Sequence, residues 1–287
     1  MDIFFDEKQY KNKLLDTFKA FDSFCLDHNI KYYAAYGTLI GAIRHNGLIP
    51  WDDDIDVWML PDDYNRFCSF KGKVGGHYDI MDSRDDNYWL FSLAKFVDCE
   101  TTLWEYECFP CITGLYIDIF PLTELKTNNA VQVKADYDTI TSKLTSAIRH
   151  QSLSQYYTYL NNKHYGEICR GIRDFFYSTC RNSLKQKYSL FVKKISGSLG
   201  DRLVSLDGPY KVKEIYNKDW FSELERVSFE DTEINIPKNY SDILAQLYGD
   251  YMQLPPEDKR VPHHSHYFLD LDRRWTIEEI IEYKKKH

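Results

Sequence analysis

The chain has 287 residues, with 36 Lys and Arg against 44 Asp and Glu for a net charge of −8, 43% hydrophobic and 16% aromatic residues. That acidic balance argues against a nucleic-acid binder, which carries a basic stripe, and the hydrophobic content supplies a core and excludes bulk disorder. At about 100–200 residues per domain, the length suits one large domain or two small ones.

From residue 8 to 27, Leu14, Phe18, Phe21 and Cys25 step by four, three and four, which predicts a helix. Residues 31–36, Lys-Tyr-Tyr-Ala-Ala-Tyr, read as a short strand, because tyrosine suits a pleated, half-buried surface. Gly37-Thr38 then punctuates the chain, with Thr38 as the cap of a short helix over 39–45. Asn46-Gly47 and Pro50 mark a turn. The run Asp54-Ile55-Asp56-Val57-Trp58-Met59 alternates acidic and apolar residues, a strand pattern that puts Asp54 and Asp56 on one face and Ile55 and Val57 on the other. Pro61, Asp62 and Asp63 open a helix to about residue 70. Further strands over 78–81, 88–97 and 115–120 complete an interleaving that predicts an α+β or mixed α/β core.

Residues 129–196 are Lys- and Tyr-rich without Pro, which predicts two or three helices, and three glycines and a proline make 197–209 a returning loop. A strand over 233–236, a helix over 240–248 and a last helix after Thr276 close the chain. The domain reading is a catalytic core over 1–125, a helical insertion over 126–205 and a C-terminal segment, 206–287, returning to the core. No apolar run reaches the roughly 18 residues of a membrane span. The first residues lack the basic and apolar regions of a signal peptide. The seven scattered cysteines suit reduced thiols. A soluble cytoplasmic protein is expected.

Asp52, Asp53, Asp54, Asp56, Asp62 and Asp63 crowd one short stretch. Two carboxylates on one strand face repel, so they call for a cation, and Mg²⁺ (or Mn²⁺) leaves room for substrate phosphates. The plainer reading, a solvated acidic loop, sits badly with the Ile/Val alternation. A calcium loop fails, because Val57 stands where Gly is needed and Asp63 where a bidentate Glu is needed. A strand, Gly-Thr, a helix and then an Asp-x-Asp strand have the logic of phosphoryl or nucleotidyl transfer: glycine and helix N-terminus for phosphate, aspartates for metal. Arg44 and His45 add positive charge at the end of the same helix. Asp118, inside the apolar run 115–122, either caps a backbone group or completes the metal site as a third carboxylate.

The run from Tyr36 to Val57, through Gly37-Thr38 and Asp52-Asp53-Asp54-Ile55-Asp56, resembles the signature of the LicD family of phosphocholine transferases, in the wider group of fukutin-related protein. Ile117-Asp118-Ile119-Phe120-Pro121-Leu122 and the block from Tyr248 to Arg260 fit the same family in matching order, so the resemblance spans 30–122 and 228–264. It implies a nucleotidyltransferase-like sheet flanked by helices. It also implies transfer of a phospho-alcohol, phosphocholine first, from a CDP-activated donor to a hydroxyl of a cell-surface glycan, lipopolysaccharide or teichoic-acid precursor, with release of CMP. Carried over, Gly37 and Thr38 cradle the diphosphate and Asp54 and Asp56, with Asp118, ligate Mg²⁺. Thr123 departs from the family's usual Asp. The general base is Asp118 or Asp52, and Lys95 and Arg260 are candidate phosphate contacts, each against the reading of a surface cation. A lipid-linked acceptor implies transient membrane association, for which the net negative charge offers no help.

Weaker signals remain. His263 and His264, in a His-rich loop, are candidate site residues, although such loops are usually passive. Cys108 and Cys111 have CxxC spacing without a second pair, which favours structural thiols over zinc. An aromatic box for a trimethylammonium group would draw on residues such as Trp51, Trp58, Trp89, Trp104 and Tyr116, for which core packing is the default. The competing readings are phosphoribitol or phosphoglycerol transfer, nucleotidyl transfer from an NTP, and a glycan-binding scaffold without turnover.

Overall fold

A computed structural model describes residues 7–82, 93–109, 111–149, 165–195, 199–262, 264 and 266–286. Helix α1 (Glu7–Asp27) buries Leu14, Phe18, Phe21 and Cys25, the stripe its spacing predicts, together with Phe24. It lies on a mixed sheet of order β1-β2-β6-β4-β3, built from Tyr33–Ala34, Asp56–Met59, Tyr116–Leu125, Ala94–Asp98 and Tyr78–Met81. β2 and β6 are parallel and the other pairings antiparallel. β6 is the spine: its first half is covered by β2 and β4, and its second half pairs with β7 (Arg202–Ser205), which pairs in turn with β8 (Ile215–Asn217). Being central, β6 is buried nearly throughout, which is why it reads as a continuous apolar run. Under α1, Phe18, Phe21, Phe24, Phe67, Phe96 and Tyr32 meet mostly edge-on or tilted, with centroids 4.9–6.4 Å apart.

One buried charge on α1 is matched across the chain. Asp22 takes two hydrogen bonds from the Arg226 guanidinium, at 3.0 and 2.8 Å, and one from the Tyr32 hydroxyl at 2.5 Å. Arg226 stands on β9 (Leu224–Phe229), which forms a hairpin with β10 (Thr232–Pro237).

The structure departs from the sequence reading at α2. Its helix starts at Tyr36 and runs to Arg44, and β1 is only two residues long. Tyr36 turns the chain by taking φ 43°, a conformation that costs a bulky residue about 1–3 kcal/mol and persists only where its surroundings hold it. Its buried hydroxyl donates to Glu214 at 2.6 Å and lies 2.9 Å from Ser205 Oγ. Thr38 therefore sits inside the helix and does not cap it. Its hydroxyl instead accepts the Asp56 N–H at 2.9 Å, tying α2 to the start of β2.

α3 (Pro61–Cys68) follows β2. α4 (Thr127–Ile148), α5 (Tyr165–Thr179) and α6 (Arg181–Ile195) form a helical group between β6 and β7. It joins the sheet through Leu125, Ala130, Tyr137, Ile195 and Val204. The expected loop over 197–209 contains β7, four residues bracketed by Gly200 and Gly208 and too short for periodicity to reveal. β5 (Thr102–Trp104), β8, β9 and β11 (Phe268–Asp270) were also missing from the sequence reading; β5 and β11 pair across more than 160 residues, which no local pattern encodes. α7 (Tyr240–Tyr248) and α8 (Ile277–Lys286) match expectation. Residues 88–92 of one expected strand lie outside the described residues, and β4 begins at Ala94.

Candidate active site

The parallel pairing of β2 with β6 sets Asp56 directly opposite Asp118, and the antiparallel pairing of β4 with β6 sets Lys95 opposite Asp118 from the other side. Three distant stretches of chain thus place two carboxylates and an ammonium in one row. Asp52 and Asp54 enter from the segment leading into β2. All four aspartates open onto a cleft of about 660 Å³, along with Gly37, Arg44, Asp250 and His264. Its aromatic lining is Tyr36, Trp51, Phe120, Tyr210, Tyr248 and Tyr251. A mostly preformed cleft of this size is typical of a small-molecule site.

The electrostatics are dominated by unbalanced negative charge. Burial, then the neighbouring Asp54 carboxylate, pushes Asp52 up to about 8. Burial raises Asp54 although His264 pulls against it. Burial and the charges of Asp54, Asp118 and Asp52 hold Asp56 well above the usual carboxylate range. Burial takes Asp118 up to about 6, with Lys95 opposing the rise. Hard oxygen donors in this state suit a divalent cation of the Mg²⁺ kind, whose charge would relieve the repulsion that raises them. Asp54, Asp56 and Asp118 fit as its holders by donor chemistry. Donor atoms of Asp53, Asp54 and His264 also lie within 4.8 Å of one another.

Asp53 and His264 form a pair beside the cleft. The His264 ring nitrogen Nδ1 lies 2.8 Å from Asp53 Oδ1, its backbone N–H donates to Asp53 Oδ2 at 3.3 Å, and its Nε2 is 3.6 Å from Asp54 Oδ2. Burial disfavours charge on His264, but the hydrogen bond to Asp53 and the charges of Asp54 and Asp53 outweigh it and push the imidazole up to about 9. For Asp53, burial is outweighed by the same hydrogen bond and charge, so its carboxyl falls below the usual range. The Tyr10 hydroxyl anchors the Asp53 backbone carbonyl at 2.9 Å.

The other sequence-predicted residues divide clearly. Gly37 lines the cleft, but the space its missing side chain leaves is filled by the Asp52 carboxylate. Thr38 is buried behind the cleft. Arg44 reaches it while donating to the Tyr251 carbonyl at 2.7 Å, so it also braces the loop after α7. His45 accepts from Arg44 Nε at 3.0 Å and faces Trp51 edge-on. Arg260 lies over the Trp51 ring, 5.6 Å from its centroid, and donates to the Pro255 carbonyl at 2.9 Å. Lys95 is no surface cation: it is buried, 2.6 Å from Asp118 Oδ1 and 3.2 Å from the centroid of Tyr116. Asp118 thus meets an ammonium that neither sequence alternative included. His263 and Trp89 lie outside the described residues. Trp58, Trp104 and Tyr116 are buried and absent from the cleft lining, and Cys108 and Cys111 are half-buried and absent from it as well.

Sequence reasoning passed over Asp53, Tyr36, Tyr210, Tyr248, Tyr251 and Asp250 as site residues. Tyr248, Asp250 and Tyr251 stood inside a quoted motif block, whereas nothing local marked Tyr210.

The family model described as "LicD/FKTN/FKRP, nucleotidyltransferase domain" matches residues 29–151. The lipopolysaccharide cholinephosphotransferase LicD of Haemophilus influenzae is 30% identical over 253 residues, which cover 87% of this chain and 92% of that one. The chain belongs to the LicD family. Human ribitol 5-phosphate transferase FKRP is 33% identical over 55 residues, 19% of this chain and 11% of that protein. The LicD match from residue 29 takes in Asp52, Asp54, Asp56 and Asp118 of the cleft, with β2 and β6, and leaves out Asp250. No helix among the described residues of this LicD family member is long and apolar enough to cross a membrane.

Proposed function

We propose that the protein transfers phosphocholine from CDP-choline to a hydroxyl of a lipopolysaccharide-type glycan, releasing CMP. Phosphotransferase activity comes with membership of the LicD family. The observation that carries the reading is the convergence of Asp52, Asp54, Asp56 and Asp118 on one cleft, with Asp52 and Asp118 raised to about 8 and about 6. The printed name of the Haemophilus relative supports choline as the alcohol and lipopolysaccharide as the acceptor class.

In this reading residues 1–125 and 206–287 form a nucleotidyltransferase-like core and 126–205 a helical insertion. Mg²⁺, with Mn²⁺ as its substitute, would be held by Asp54, Asp56 and Asp118 and would neutralise charge on the donor diphosphate. The acceptor oxygen forms a bond to the phosphorus that carries choline while the bond from that phosphorus to CMP breaks. The acceptor proton passes to Asp52. Lys95 already occupies Asp118 at 2.6 Å, whereas Asp52 rests against the bare backbone of Gly37 and opens onto the cleft. A carboxylate with raised proton affinity is a better base than an ordinary aspartate. Arg44 and the charged His264 supply positive charge for the donor phosphates and the departing CMP.

The aromatic lining favours choline over a neutral polyol. Tyr210 stands between Tyr36 and Tyr248, with ring centroids 5.9 and 5.0 Å away, and Asp250 lines the same cleft. Aromatic faces and carboxylates together attract a quaternary ammonium. The short match to a ribitol 5-phosphate transferase favours phosphoribitol as the second reading.

The test is CMP release from CDP-choline, CDP-ribitol and CDP-glycerol, with Mg²⁺ and with chelator, alongside pyrophosphate release from CTP. Metal-dependent CMP release from CDP-choline, with KM raised at least about tenfold by Tyr210→Leu, is the expected result. Preference for CDP-ribitol would establish the second reading. Pyrophosphate from CTP alone would move the reaction to nucleotidyl transfer, and no turnover or binding would leave a glycan-binding scaffold.

A further inference from the structure

Helix α5 is amphipathic in the opposite sense to a core helix. Tyr165, Cys169, Ile172 and Phe176 recur at intervals of four, three and four, which lines one face. That face points to solvent: Tyr165, Ile172 and Phe176 are each 64% exposed and the adjacent Phe175 is 72% exposed. The buried positions of the helix are instead Gly171 and Asp174, with Asp174 held by Arg173 at 2.9 Å and by Arg149 of the α4 end at 3.6 Å. Aromatic and aliphatic residues gathered on an outward face mark an interaction surface.

Charge identifies the partner. Residues 165–195 hold seven Lys and Arg and two acidic residues, a local charge of +5 on a chain whose net charge is −8. α6 alone carries Arg181, Lys185, Lys187, Lys193 and Lys194 and no Asp or Glu. The acidic balance of the whole chain therefore hides a segregated basic unit in the helix that follows the apolar stripe. An aromatic stripe next to lysines is the composition of a helix that lies in a lipid interface. A second copy docked face to face would bring one cationic helix against another, whereas an anionic surface complements it.

We propose that α5 and α6 form a docking surface for an anionic lipid bilayer. Tyr165, Ile172, Phe175 and Phe176 enter the headgroup–acyl boundary, and the lysines of α6 meet the anionic headgroups. The inference does not depend on which group the cleft transfers.

The experiment is flotation of the full chain with vesicles of phosphatidylcholine alone and of phosphatidylcholine with phosphatidylglycerol, at low and high salt, beside size-exclusion chromatography. The wild type is expected to float with the phosphatidylglycerol vesicles, weakly with phosphatidylcholine, and to be released by salt. Ile172→Glu with Phe176→Glu, and separately Lys187→Glu with Lys193→Glu and Lys194→Glu, should each weaken that binding about 100-fold. All five side chains are exposed, so both variants should melt like the wild type. Failure of the wild type to float, equal flotation with both vesicle types, or undiminished binding by either variant would overturn the proposal. A wild-type dimer that the Ile172/Phe176 variant splits into monomers would overturn it too, by assigning the face to a second copy.

Discussion

The carboxylate of Asp52 occupies the space that a side chain on Gly37 would fill. The glycine of the Gly-Thr pair therefore makes room for an acidic side chain from the next segment of chain, and the N-terminal turn of α2 and the aspartate are seated as one unit. Gly37→Ala should push Asp52 aside. Since alanine is the better helix former by about 1 kcal/mol, the melting temperature should hold or rise while kcat falls about 100-fold. CMP release and thermal melting on the same preparation check this, and an unchanged kcat would remove Asp52 from the mechanism.

Asp56→Asn separates charge repulsion from catalysis. Burial and the charges of Asp54, Asp118 and Asp52 oppose ionisation of Asp56, so the neutral amide should raise the melting temperature in chelator. The stabilisation that added Mg²⁺ confers on the wild type should shrink, and turnover should vanish. A lower melting temperature in chelator would mean that the Asp56 charge is already compensated.

Lys95→Met leaves Asp118 buried without its ammonium, which costs about 3–5 kcal/mol. Lys95→Met with Asp118→Leu should recover much of that stability and none of the activity. Urea unfolding of the three proteins measures the difference. A single variant as stable as the wild type would show that the pair is not what balances Asp118.

The Asp53–His264 pair predicts a pH window. His264 gains protons more readily in the folded state, at about 9 against 6.5 unfolded, so its contribution is complete below pH 6.5 and is lost as pH rises through about 9. The stability difference between the wild type and His264→Gln, in chelator, should therefore be largest just below pH 6.5, shrink through neutral pH and be close to zero above about pH 10. A difference that stays constant with pH would contradict the charged pair.

Glu214 gives a second window. Burial pushes it up to about 7 from 4.5, with the Tyr36 hydroxyl pulling the other way. The folded protein binds more protons than the unfolded chain between these values, so stability falls as pH rises from 4.5 to about 7. Glu214→Gln should flatten that fall, which unfolding at several pH values would show. Persistence of the full slope would assign it to another group.

The acidic strand, the α1 stripe, the α7 helix and the family signature were legible in the sequence because each is local. Helical and strand periodicity act over a few residues, and Asp54 and Asp56 share a face by the two-residue repeat alone. That repeat also carried the main chemical inference, two carboxylates in need of a cation. The register of β6 was beyond it: Asp118 lies opposite Asp56 and Lys95 because three strands far apart in sequence align at one level, and the ion pair follows from that alignment. Tyr36 defeated the reading of α2 because its left-handed turn is held by Glu214 and Ser205, about 170 residues away. The inverted face of α5 shows the same division. Its spacing specifies a helix with one apolar side, but only packing against α4 decided that this side would face outward, with Asp174 buried in its place and paired with Arg149 from the end of α4.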